Sequence, residues 1–197
     1  MRRMEVFKEV YERTERFGKP DENGCYPEAV FKVGKVVWHL KTEGGITRLY
    51  RNGEEYTPRY NTGNGLYADV SLGITGYSLM LHQFLVASMN PTEAKKIVDN
   101  ISLVINHKII WNGEETQVIP YQYAPALEVV TPGDNKVHSD FVRRLNLFNI
   151  EVSCKDARKM KACEELGMSD EDIRNCYIIG GILEVTKSLV KLVAKAC

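Results

Sequence analysis

The sequence predicts an α+β domain built on a mixed β-sheet, with one long buried helix and a further helix at the C-terminal end. Three observations carry that prediction. Short alternating apolar runs crowd residues 29–60, a continuous apolar run covers residues 75–89, and charged segments with helical spacing stand near both ends of the chain. The length of 197 residues suits one core, expected over residues 1–152, followed by a helical extension over residues 153–197.

Taken in order, Val6, Phe7, Val10, Tyr11 and Phe17 recur at helical spacing among charges until Gly18-Lys-Pro20 breaks the pattern, so a first helix is expected over residues 5–17. Residues 29–33, 35–40 and 46–50 then read as strands. Asn52-Gly53 marks a tight hairpin, because both residues tolerate the positive φ of a type I′ turn. The stretch Asn61-Thr-Gly-Asn-Gly65 reads as a loop. Residues 75–89 read as a buried helix, and Asn90-Pro-Thr-Glu93 supplies an N-cap, a proline at the first helical position and a glutamate two residues later for another. A strand is expected over residues 101–105, a second hairpin around Asn112-Gly113, and a strand over residues 126–130. Residues 140–152 fit either helix or strand. Ser169-Asp-Glu-Asp172 caps a last helix that runs toward Ala196, with Gly180-Gly181 as its weak point.

Composition narrows the function classes. Lys+Arg and Asp+Glu each count 26, so the formal charge is zero and the broad positive field of a non-specific nucleic-acid binder is missing. Any anion site must be local. The five cysteines, Cys25, Cys154, Cys163, Cys176 and Cys197, are odd in number and contain no C-x-x-C pair, which points to reduced thiols and a cytoplasmic setting. Met1-Arg-Arg-Met opens a charged amphipathic stretch rather than a secretory signal. The apolar run over residues 77–89 carries His82 and Gln83 and is shorter than the roughly 20 residues a bilayer needs, so no membrane partner is expected.

One segment carries more specific information. Ala68-Asp-Val-Ser-Leu-Gly73, Tyr77-Ser-Leu-Met-Leu-His82, Asn106-His107 and Ala124-Pro-Ala-Leu-Glu-Val129 follow one another in an order and at separations that resemble the thymidylate synthase family, which includes the pyrimidine hydroxymethylases. The resemblance implies a shortened fold of that type, a homodimer joined through its sheets, a pyrimidine nucleotide as ligand, and methyl or hydroxymethyl transfer to C5 from a reduced folate. It implies Cys25 as the nucleophile that adds to C6, since a soft thiolate makes that reversible bond. Asp69 would orient the ring, and Arg59, Tyr67, Ser102, Asn106 and His107 would complete the substrate site.

Two other readings stand beside it. Gly65-Leu-Tyr-Ala-Asp69 with Tyr77, and His39 upstream, also resembles an ADP-ribosyltransferase element, which implies NAD as substrate. A non-catalytic homologue, acting as a binding, assembly or inhibitor protein, is suggested by Val104, Leu66 and Tyr67 standing where that family carries polar or basic groups, because valine and leucine donate no side-chain hydrogen bond. Arg48, Arg51, Arg59, Arg143 and Arg144 are the candidates for rebuilding an anion site through bidentate contacts.

Overall fold

The computed structural model describes residues 3–58, 60–61, 67–74, 76–110 and 122–180. The chain divides into two compact units, Met1–His107 with Glu114–Val129, and Lys108–Gly113 with Val130–Cys197. The boundary expected after residue 152 therefore falls at Val130. The reason lies in the apolar residues of the helix that follows, which pack into the second unit's core.

The first unit opens with α1 (Arg3–Arg13), whose Val6, Phe7 and Val10 are buried. This helix is shorter than the spacing predicts. Thr14 Oγ1 donates to Val10 O at 2.6 Å, and the next residues form β1 (Glu15–Phe17) against β2 (Glu28–Val33). From there β3 (Val36–Glu43), β4 (Ile46–Arg51) and β5 (Glu54–Tyr56) continue an antiparallel meander in the order β1-β2-β3-β4-β5. The Asn52-Gly53 turn forms as read, with φ of 54° and 87°. All strand pairs with an assigned register are antiparallel, so the expected mixed sheet becomes an antiparallel one.

A second sheet holds β6 (Tyr60–Asn61), β7 (Tyr67–Ser71) and β8 (Ser78–Met80). Its last hairpin corrects the long helix expected from residue 75. Gly73 and Gly76 take φ of 99° and 75°, and Leu72 N donates to Tyr77 O at 2.8 Å, so residues 78–80 are drawn into the sheet. The helix α2 (Leu81–Met89) starts only after them, and Met80 N donates to Gln83 Oε1 at 3.2 Å where it begins. Its Phe84, Leu85 and Met89 are fully buried, with Phe84 meeting Phe31 and Trp38 edge-on at 6.4 and 5.4 Å between ring centroids.

Asn90 then caps α3 (Pro91–Asp99), its side chain accepting from Glu93 N at 3.1 Å, as the sequence predicts. The strand expected at residues 101–105 shifts to β9 (Val104–His107), leaving Ile101 75% exposed in the turn before it. A short 3-10 turn (Ala124–Ala126) leads into β10 (Leu127–Val130), which pairs with β9. The hairpin expected around Asn112-Gly113 lies outside the described residues.

In the second unit the ambiguous stretch is helical over residues 140–144 and then leaves the helix for turns, with Glu151 in an isolated bridge to Ile109. Thr131 caps α4 (Pro132–Arg144), accepting from Asp134 N at 3.1 Å, and a Ser153–Asp156 capping box opens α5 (Cys154–Glu165). The chain turns at Gly167, with φ of 85°, into α6 (Asp170–Gly180). Phe141 and Val142 of α4 pack with Met160, Cys163 and Ile173 in a separate core. Among the described residues no helix is long and apolar enough to cross a membrane.

Candidate functional site

The structure places Cys25 and Asp69, the two residues read as catalytic, in two locations within the first unit. Cys25 sits in the loop between β1 and β2. Asp21 shapes this loop, its Oδ1 accepting from Asn23 N at 2.9 Å and Cys25 N at 2.8 Å. The cysteine is 3% exposed and lines a pocket of about 210 Å³ with Lys19, Tyr26, Thr42 and Tyr123 among its walls. Its neighbour Tyr26 donates from its backbone N to Met89 O at 2.8 Å, which ties the loop to the C-terminal end of α2.

Asp69 lies elsewhere. It stands on β7 opposite Met80 in the register, beside the N-terminal end of α2, and its Oδ1 accepts from Arg3 Nη2 at 3.0 Å. Nine helical residues rise about 13 Å, and the loop of Cys25 is tied to one end of α2 while Asp69 pairs with the residue before its other end. A thiolate and a carboxylate acting on one ring would have to come within a few ångströms of it. The structure does not bring this pair together.

What gathers at the N-terminal end of α2 is a different set. His82, the second residue of the helix, meets the ring of His107 on β9 edge-to-face, with centroids 5.4 Å apart. Arg3 and Asp69 both act electrostatically on His82. Burial and the Arg3 guanidinium hold its imidazole down to about 4, against 6.5 for a free one, with Asp69 opposing the shift. His82 is therefore neutral at pH 7. The ion pair beside it is open to solvent, with the Arg3 and Asp69 side chains 44% and 62% exposed. Arg3, Asp69, His82 and His107 thus combine an anion-binding guanidinium, a carboxylate and two imidazoles on α1, β7, α2 and β9.

The remaining candidates take structural roles or fall outside this cluster. Asn106 is buried, and its Nδ2 donates to Glu128 Oε1 at 2.9 Å across β9 and β10. Ser102 is an exposed turn residue whose N and Oγ both donate to Asn100 Oδ1, at 3.1 and 2.7 Å. His39 Nε2 bonds Glu28 Oε1 at 2.7 Å on the first sheet. Arg48 pairs with Glu55, Arg51 lies over the Trp38 ring, and Arg144 in the second unit pairs with Glu164 and Asp170. Arg59 and the Tyr67 side chain lie outside the described residues. In the sequence, His82 reads as a structural histidine of a buried helix; its contact with His107, 25 residues away, is set by packing. The signal available was the appearance of both histidines in one resembling segment.

No family model, curated protein or solved structure matches this chain. Among the described residues, no group of three or more His, Cys, Asp or Glu side chains is arranged to hold a metal ion. The chemistry available to the cluster is proton transfer by the solvent-facing Asp69 carboxylate beside a guanidinium that can hold an anion.

Proposed function

We propose that this chain hydrolyses phosphodiester bonds in a nucleic-acid strand at the Arg3–Asp69–His82–His107 cluster. The observation that carries the reading is the edge-to-face His82–His107 pair beside a solvent-facing Arg3–Asp69 ion pair. In this reading Arg3, with five donors, keeps its bond to Asp69 and offers the others to a phosphate. The solvent-facing Asp69 carboxylate takes a proton from water, the water oxygen attacks phosphorus, the bond to the leaving nucleoside oxygen breaks, and that oxygen takes a proton from solvent on the opposite face.

The openness of the ion pair favours a polymer over a free nucleotide, because sites for small molecules enclose most of the ligand surface. Zero net charge fits a contact with few phosphates, and therefore a shallow salt dependence of binding.

The test uses end-labelled single-stranded DNA, duplex DNA and RNA, incubated with the protein with and without Mg²⁺ or Mn²⁺. Cleavage by the wild type is expected to fall about 100-fold or more in Asp69→Asn, the lower range for losing a general base. Arg3→Gln is expected to raise KM more than it lowers kcat. A folded wild type that cuts none of the three substrates, or an Asp69→Asn protein of undiminished rate, overturns the proposal.

A second reading, pyrimidine-nucleotide binding with C5 one-carbon transfer from a reduced folate by a homodimer, has in its favour that Cys25 lines a pocket. The α2 helix between Cys25 and Asp69 argues that this activity would need a different partner for the thiol. Calorimetric titration with dUMP and dCMP tests it, and absence of heat with either removes it.

A further inference from the structure

We infer that the pocket beside Cys25 is a binding site for a small monocyclic aromatic or heteroaromatic acid, separate from the His82–His107 cluster. The pocket is built from segments that are each pinned by hydrogen bonds. The loop of residues 21–25 is closed by Asp21 N to Cys25 O at 2.9 Å and Gly24 N to Asp21 O at 3.0 Å, and Asn90 Nδ2 anchors it by donating to Asn23 O at 3.1 Å. On another side, Thr42 N donates to Pro27 O at 2.8 Å. The Tyr123–Pro125 wall is held by Ala124 N, which donates to Thr47 Oγ1 at 2.9 Å, and Thr47 in turn shares a 2.8 Å hydroxyl bond with Thr42. A cavity with walls fixed in this way costs a ligand little ordering entropy.

Its chemistry selects the ligand class. Tyr26, Tyr123 and two prolines offer flat, largely apolar surfaces, and Lys19 contributes the positive charge. Asp21 also lines the pocket, but one of its carboxylate oxygens is engaged by two backbone N–H groups. The volume of about 210 Å³ is roughly seven times the share of a liquid water molecule, enough for one six-membered ring with a short acidic substituent.

The test is ligand-observed NMR on the full chain with benzoate and nicotinate against their neutral amides, benzamide and nicotinamide. Mass spectrometry then follows whether the acid slows iodoacetamide labelling of Cys25. Saturable binding of the acids at least tenfold tighter than the amides, lost in the exposed-site variant Lys19→Gln, with protection of Cys25, supports the inference. Cys25→Phe, which fills the pocket, should abolish binding; if it fails to fold, Lys19→Gln decides alone. No saturable binding of either acid, or binding equal for acid and amide and unchanged in Lys19→Gln, overturns it. Cleavage at the Arg3–Asp69 site is expected to be the same with and without the acids, so the two proposals fail independently.

Discussion

Replacing His82 with glutamine removes a titrating group that burial and the Arg3 guanidinium push down to about 4, against 6.5 for a free imidazole. Below pH 6.5 the unfolded chain takes up a proton that the folded chain refuses until about pH 4. Stability therefore falls as pH drops through that window, at up to about 1.36 kcal/mol per pH unit. Integrated, this one group costs the wild type about 2 kcal/mol at pH 5 and about 3 kcal/mol at pH 4, relative to pH 7. Carboxylates that titrate in the same range do so in both proteins and cancel in the difference. The assay is urea unfolding of wild type and His82→Gln at pH 7, 5 and 4, with the stability difference taken at each pH. The variant is expected to gain on the wild type as pH falls, by about 3 kcal/mol at pH 4. A difference that stays flat across the window refutes a neutral, buried His82.

Three further outcomes follow from packing and backbone geometry. Phe84→Ala, which empties the space against Phe31 and Trp38, is expected to cost about 3–5 kcal/mol by denaturant unfolding followed through tryptophan fluorescence. Gly73→Ala should destabilise more than Gly53→Ala in thermal melts. Both residues have positive φ, but a Cβ on Gly73 would lie 2.5 Å from Val36 Cγ2, whereas one on Gly53 meets nothing within 4 Å. Adding Val36→Ala to Gly73→Ala should recover part of that loss. In the second unit, Ser153→Ala removes the acceptor for Asp156 N and is expected to cost about 1 kcal/mol, read as faster amide exchange in the first turn of α5.

The sequence by itself determined those features whose cause is local. The Asn52-Gly53 hairpin was legible because two adjacent residues that accept positive φ suffice to close it. The start of α3 was legible because Asn90 carries its own acceptor for Glu93 N. Thr131, Pro132 and Asp134 carry the same kind of signal for α4, and a capping pattern read there would have placed residues 140–144 in a helix. Zero net charge likewise required no structure to say that any anion site is local.

Tertiary structure decided what depends on partners distant in the chain. Residues 78–80 are apolar enough to continue a helix, yet they pair with β7 because Gly73 and Gly76 let the chain reverse between them. Cys25 and Asp69 carry no mark of their separation; the α2 helix that stands between them sets it. His82 and His107 carry no mark in the sequence of their ring contact, which only the folded chain creates. Chain-local hydrogen bonds and dihedral preferences can be read residue by residue, whereas burial, pKa and convergence of side chains are properties of the packed molecule.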